Sequence, residues 1–111
     1  MLEIQRLAVE FAVAGQQLAR TARRHDAKLA DQISRAATST VLNLNEGIGR
    51  RQPADKRSRY DIALGECREC GAAGMLAAAY GYSDDVEPFL ALADRMGAML
   101  YRFREALDGW R

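Results

Sequence analysis

Asn43 and Glu46 are the polar residues best placed to do chemistry, because they lie three positions apart on a helical face that is otherwise apolar. Residues with this spacing are neighbours on a helix surface. A catalytic carboxylate at Glu46 would need a second acid or a base nearby, and the sequence offers no evident companion. We therefore predict a structural polar core, in which both side chains are at least half buried and hydrogen-bonded and Glu46 pairs with an arginine. We predict no catalytic residue.

The two cysteines, Cys67 and Cys70, form a C-x-x-C pair. Zinc sites need four ligands, and the only histidine is His25, in a predicted turn. A thioredoxin-like motif needs a preceding strand, which the sequence does not provide. The interpretation we favour is that both cysteines are small, reduced core residues and that His25 is exposed. We predict no metal and no other cofactor.

A basic segment occupies residues 50–59, where Asp55 is the only acid. Guanidinium groups match phosphate geometry, and the start of a following helix would add its positive dipole. The hypothesis is a nucleic-acid-binding site, and the competing interpretation is a solvated charged loop. The candidate residues are Arg50, Arg51, Lys56, Arg57 and Arg59. A second basic group, Arg20, Arg23 and Arg24, is expected at the opposite end of the molecule.

Length and composition predict one folded domain, residues 1–111, with 49% hydrophobic and 28% charged residues. No apolar run approaches the roughly 18 residues needed to cross a bilayer. Glu3 and Arg6 interrupt the first apolar stretch, so it does not resemble a signal peptide. We expect a cytoplasmic protein with no membrane partner.

The net charge of +1 is unevenly distributed along the chain. Residues 1–60 hold eleven Lys/Arg against six Asp/Glu, and residues 61–111 hold five against nine. Two interpretations stay open: a basic face for nucleic acid, or basic and acidic surfaces that meet between subunits.

Apolar residues recur at spacings of three and four throughout the chain, which predicts four helices over about residues 2–24, 27–48, 53–80 and 84–108. We expect Gly47 and Gly49 to end the second helix in the left-handed conformation, and Gly81 to stop the third. Pro53 suits a first helical turn, and one of residues 83–85 should cap the fourth helix. Short connections between long helices predict an antiparallel, up-down-up-down four-helix bundle.

Residues 70–80 are apolar or small at every position. A bundle helix normally presents a polar face to water, so we predict an oligomer interface here. The competing interpretation is an alanine-rich but solvated helix. The candidate interface residues are Gly71, Gly74, Met75 and Leu76.

The run from Ser34 to Ser39, the pattern N-x-x-E-G-x-G-R that starts at Asn43, and the third-helix residues Arg59-Tyr60 and 62–66 form a recognisable set. The set resembles the signature of the four-helix bundle proteins of the 23S ribosomal RNA intervening-sequence family, and the likeness extends over almost the whole chain. A related branch comprises the accessory proteins of diversity-generating retroelements.

The resemblance implies a four-helix bundle that assembles into a five-fold ring and has no established catalytic activity. It also implies association with RNA or another nucleic acid, and with a reverse-transcriptase-like protein in the related branch. We therefore expect a non-enzymatic homo-oligomer, a homopentamer, that acts as an RNA-associated binding or scaffold protein. The alternative is a protein–protein interaction adaptor that binds no nucleic acid.

Overall fold

The computed structural model describes residues 1–108, which form four α-helices and no strand. The helices are α1 (Glu3–Arg23), α2 (Ala27–Gly49), α3 (Pro53–Ala79) and α4 (Glu87–Glu105). The all-α prediction is confirmed. The first three helices differ from their predicted bounds by one residue at most, whereas α4 begins three residues later and ends three residues earlier than predicted.

Local signals in the sequence set most of the helix ends. The Asp26 carboxylate accepts a hydrogen bond from the Leu29 N–H at 3.0 Å and so caps α2. Pro53 opens α3, where its missing N–H leaves no hydrogen bond unmade. Gly81 follows α3 with a φ of 76°, which only glycine adopts without strain. There the Tyr82 N–H donates to the Ala77 carbonyl at 2.8 Å, which closes a Schellman turn.

The start of α4 differs from the prediction. Val86 is the N-cap residue, and no side chain caps the helix. The Ser83 hydroxyl instead accepts a hydrogen bond from the Asp85 N–H at 3.4 Å within the preceding loop. Pro88 lies in the first turn of α4 and fixes the start of the helix immediately before it. The polar residues 83–85 therefore shape the loop and do not cap the helix.

The helices occupy the corners of a square in chain order. α1 packs against α2 and α4, α3 packs against the same two helices, and α1 and α3 also approach each other across one diagonal, whereas no Cα atoms of α2 and α4 lie within 8 Å of each other. The α1/α2 pair and the α3/α4 pair therefore form opposite sides of a rod of 47 × 23 × 21 Å. The start of α1, the α2–α3 turn and the end of α4 share one end of this rod.

Small residues let the helices approach closely around an aliphatic and aromatic core. Phe11 of α1 stacks on Phe89 of α4 with ring centroids 5.5 Å apart. Thr40 is the one polar residue of residues 1–108 that is buried outright, and its hydroxyl donates to the Ala36 carbonyl at 2.8 Å. The bond satisfies the hydroxyl within its own helix, so the core holds no unpaired polar group at this position.

The end of α2 corrects the prediction for Gly47 and Gly49. Both glycines belong to the helix, and Gly81 has the only positive φ among the described residues. Gly47 serves close packing instead, because a Cβ at this position would lie 2.5 Å from Cε1 of Tyr60. The absence of a side chain lets the aromatic ring of α3 rest directly on the backbone of α2.

We predict that Gly47→Ala lowers the free energy of unfolding by about 1–3 kcal/mol, because the new methyl group must displace the buried Tyr60 ring. Gly65→Ala is the matched control, since a Cβ there meets no atom within 4 Å. The free energy of unfolding of that control should rise by up to about 1 kcal/mol, because alanine has a higher helix propensity than glycine. Urea unfolding of both variants tests the contact, and equal stability of the two would contradict it.

Candidate nucleic-acid interface

The basic residues converge where α2 ends and α3 begins. Arg50 is the C-cap residue of α2, Gln52 is the N-cap residue of α3, and Arg51 lies between them. Lys56, in the first turns of α3, reaches back to the end of α2. Its ammonium group donates to the Gly47 carbonyl at 3.1 Å and to the Ile48 carbonyl at 2.9 Å. The Gly47 carbonyl also accepts from the Arg50 N–H at 3.2 Å, so the lysine adds a charged donor at the negative end of the helix dipole.

A polar network continues from this turn along the α2–α3 boundary. The Arg59 guanidinium donates to Asn43 Oδ1 at 3.3 Å, and Asn43 Nδ2 donates to the Ser39 carbonyl at 2.9 Å. Arg50 pairs with Glu46 one helical turn earlier at 2.8 Å, and Arg59 Nε lies 3.8 Å from the same carboxylate. Glu46 therefore has two arginine partners, Arg50 and Arg59, where the sequence predicted one.

Burial separates the two members of the predicted polar core. Asn43 is partly buried and fully engaged in the network. Glu46 is exposed, with 51% of its side-chain surface accessible, so its assignment to the core is wrong for the single chain. Glu46 lies one turn after Asn43 and points further from the helix–helix contact, which three-residue spacing alone does not reveal.

Further ion pairs tie the end of α4 to the start of α3. Arg57 pairs with Asp108, and Arg104 pairs with Asp61 at 3.2 Å and with Glu105 at 2.9 Å. Arg57 is therefore engaged with the segment that follows α4.

The five predicted nucleic-acid-binding residues thus lie together but differ in their engagement. Arg50, Lys56, Arg57 and Arg59 each contact protein groups. Arg51 is exposed and has no ion pair among residues 1–108. Arg102 adds an exposed cation at the same end, beside a shallow cleft that Lys56 and Tyr60 also line. The sequence could have indicated Arg102, because the end of a fourth antiparallel helix returns to this end of a bundle.

The second basic group lies at the opposite end of the rod, at the end of α1. Arg23 pairs with Asp31 at 2.8 Å, while Arg20 and Arg24 are exposed. His25 is exposed and stacks on Tyr82 with ring centroids 5.1 Å apart. The side chains of this end and those of the α2–α3 turn form two separate patches.

Both cysteines face the core. The Cys70 thiol donates to the Ile33 carbonyl at 3.4 Å, and the Cys67 thiol donates to the Ala93 carbonyl at 3.6 Å. Burial raises the pKa of both thiols to about 12, so both stay protonated near neutral pH. Residues 1–108 contain no group of three or more His, Cys, Asp or Glu side chains that could hold a metal ion.

The predicted interface residues divide between the core and the surface. Met75 and Leu76 are exposed. Gly74 is buried, and a Cβ on it would lie 2.6 Å from the Phe89 ring of α4, so its assignment to an oligomer interface is wrong. Gly71 is partly buried and lines a cleft between α3 and α4. The sequence shows that residues 70–80 are small, but the crossing of α3 and α4 decides which of them are covered.

The geometry defines an all-α protein whose four helices pack as a bundle. The chain belongs to the family of 23S rRNA-intervening sequence proteins, whose family model matches residues 1–102. The chain is also similar in fold to a crystal structure of a protein of unknown function from the S23 ribosomal protein family of Bacteroides thetaiotaomicron VPI-5482. That similarity has a TM-score of 0.86 at 22% sequence identity and covers 92% of this chain and 98% of the other.

The sequence comparison with curated proteins found no match. Within residues 1–108, no helix is both long enough and apolar enough to cross a membrane.

We predict that Asn43→Ala lowers the free energy of unfolding by roughly 1–3 kcal/mol, because it strands hydrogen-bonding groups of Arg59 and Ser39 in a partly buried site. Glu46→Ala should cost less than about 1 kcal/mol, because its ion pairs are exposed to solvent. Thermal and urea unfolding of the two variants provide the comparison. A larger loss for Glu46→Ala than for Asn43→Ala would contradict the assignment of roles.

We also predict a loss of stability at alkaline pH that depends on the thiols. Since the pKa of both buried thiols is raised to about 12, the folded state keeps their protons to higher pH than the unfolded state does. This contribution is complete below the unfolded value of about 8.5 and declines as the pH rises towards 12. Urea unfolding at several pH values should show a shallower decline for Cys67→Ala/Cys70→Ala, and parallel curves for variant and wild type would contradict the prediction.

Proposed function

We propose that this protein is a non-enzymatic, cytoplasmic homo-oligomer that binds RNA and acts as a binding or scaffold protein. The observation that carries the proposal is the convergence of basic side chains at the α2–α3 turn, around the positive end of α3. Backbone N–H groups at a helix start and guanidinium forks both suit phosphate oxygens. The name of the family refers to an intervening sequence of 23S rRNA, which agrees with a nucleic-acid role.

The ion pairs at the turn are compatible with phosphate binding. Arg50 and Arg57 keep 43% and 41% of their side-chain surface accessible while they pair with carboxylates. Exposed ion pairs contribute only about 0–1 kcal/mol, so a phosphate can replace the carboxylate at little cost. Arg51 needs no such exchange, because it is exposed and makes no ion pair within residues 1–108. We expect Lys56 and Arg59 to contribute charge while they hold the turn together.

Oligomerisation is the second part of the proposal. A single chain of net charge +1 is a weak ligand for a polyanion, whereas several linked copies bind together, because the later contacts are intramolecular. Exposed apolar side chains such as Met75 and Leu76 support self-association. The likeness to the family suggests a ring of five copies, which would repeat the basic turn five times around one axis.

One observation favours a second function, that of a protein–protein adaptor. The arginines of the turn already bind carboxylates of their own chain, so an acidic protein surface could occupy the same groups. A reverse-transcriptase-like protein is a candidate partner under this alternative. RNA binding measured directly distinguishes the two functions.

We predict that Arg50→Gln/Arg51→Gln weakens RNA binding for all sequences alike, because phosphate contacts carry no sequence information. Wild-type affinity should fall steeply with salt, and the logarithmic slope should become shallower by roughly 0.7–0.9 for each phosphate contact removed. Fluorescence anisotropy with a labelled, structured RNA from about 50 to 200 mM salt measures both quantities.

The matched control is Lys28→Gln/Arg95→Gln, which removes the same charge from exposed positions outside the turn. It should change the affinity much less than the turn variant does. If the wild type binds no structured RNA at about 50 mM salt, RNA binding is refuted and the adaptor function takes its place.

A further inference from the structure

A shallow cleft lies between the first turns of α3 and the last turns of α4, beside the α2–α3 turn. Its volume is about 400 Å³, within the range of about 300–1,000 Å³ that small-ligand sites occupy. The cations Lys56 and Arg102 line it, and no acidic side chain of residues 1–108 does. The rest of its wall is apolar and consists of Tyr60, Met99, Phe103, Ala106 and Leu107.

The two aromatic rings of the cleft differ in exposure. Tyr60 is buried, with its ring against the backbone of Gly47, whereas Phe103 is partly exposed. The two rings meet edge to face, with centroids 5.7 Å apart and an interplanar angle of 75°. Tyr60 therefore supports the Phe103 ring from below, and the accessible part of that ring offers a surface for a flat aromatic group.

The two cations of the cleft are held differently. The Lys56 ammonium group donates to the Gly47 and Ile48 carbonyls at the end of α2, so the cleft adjoins the basic turn directly. Arg102 is exposed and makes no ion pair within residues 1–108. Its guanidinium group is therefore available for a phosphate.

The acids at this end of the rod do not neutralise the cations of the cleft. Four of them, Glu46, Asp61, Glu105 and Asp108, pair with arginines other than Arg102. Glu3 and Asp55 are exposed, and neither lines the cleft. The charge that lines the cleft is thus positive, which suits an anion that also carries a flat, apolar group.

We infer that the cleft holds the base of one unpaired RNA nucleotide, whose phosphate lies on Arg102. The inference rests on the proposed RNA binding and goes beyond it by naming the part of the RNA that binds outside the basic turn. Bases of RNA loops and bulges turn outward and stack on aromatic side chains, whereas the bases of a duplex stay stacked within it. Since Lys56 belongs to both surfaces, the phosphates next to that nucleotide reach the basic turn.

The arrangement selects RNA by its structure and not by its sequence. Every base has a π face, so stacking on Phe103 discriminates little between bases. The phosphate contacts of the turn carry no sequence information and form with paired and unpaired RNA alike. The cleft is therefore the part of the molecule that distinguishes a bulged RNA from a continuous duplex.

Two RNAs test the inference: a fully paired duplex, and the same duplex with a single unpaired nucleotide at its centre. The wild-type protein should bind the bulged RNA more tightly by about fivefold or more, the lower end of what one stacked base contributes. Phe103→Leu keeps an apolar side chain without the aromatic ring, and should bind the bulged RNA no better than the duplex. Phe103→Tyr should retain the preference. Fluorescence anisotropy at about 50 mM salt measures the affinities.

Tyr101→Leu is the matched control, because it removes an exposed aromatic ring from the same helix at a position outside this cleft. It should keep the wild-type preference. Arg102→Gln should weaken the bulged RNA more than the duplex, and this surface substitution provides the test if Phe103→Leu fails to fold. Circular dichroism melting verifies that each variant is folded.

Equal affinity of the wild type for the two RNAs, or a preference that Phe103→Leu retains, overturns the inference and leaves the proposed RNA binding intact. Absence of binding to either RNA refutes the proposed RNA binding and the inference with it. Sedimentation velocity identifies a different occupant. If Phe103→Leu lowers the native mass but keeps the preference for the bulged RNA, a second copy of the chain covers the cleft and the inference is wrong.

Discussion

The contact between the Tyr60 ring and the backbone of Gly47 is the constraint on which the arrangement of the basic end depends. Because Gly47 has no side chain, the first turns of α3 lie directly against the last turn of α2. At that distance Lys56 reaches the carbonyls that end α2, and Arg59 reaches Asn43. The same approach holds Arg50 and Arg51 in a short turn at the tip of the rod. A looser seam would separate these cations and leave the end of α2 uncapped.

Positive charge is concentrated at one end of this molecule, where residues 50–59 hold five Lys/Arg against one acid. At the basic end, arginines and a lysine hold helix termini together through carboxylates and carbonyls, and in our proposal phosphate replaces the exposed carboxylates. The α1/α2 side is nearly balanced, since residues 1–49 carry six Lys/Arg against five Asp/Glu. The net charge of +1 hides this concentration. In our proposal, this local excess lets a chain with little overall charge bind a polyanion.

The sequence predicted the helices well because their periodicity, Pro53 and Gly81 act locally. The prediction failed where a contact between residues far apart in the chain determines the role or the burial of a residue. The role of Gly47 follows from the position of Tyr60, and the burial of Gly74 follows from Phe89. At the site, the sequence predicted that the basic residues lie close together. It could not indicate which of them form ion pairs with acids of the same chain, because the partner of Arg57 is Asp108, 51 positions further along the chain.

The exposure of Glu46 and the late start of α4 have different physical origins. Three-residue spacing places Glu46 near Asn43 but does not define how far the α3 surface extends, and the Ser83 hydroxyl is used within its own loop. The imbalance of charge between the halves of the sequence comes mostly from residues 50–59, which hold five Lys/Arg against one acid. The packing of α2 against α3 places that excess at one end of the rod.

The most direct test of the account is sedimentation velocity of the full-length protein with a fluorescently labelled structured RNA at about 50 mM salt, which reports the mass of the species that carries the RNA. The account predicts that the RNA sediments with several copies of the 12.3 kDa chain, and that no complex with a single copy forms. RNA that sediments alone, or with one copy, would contradict it.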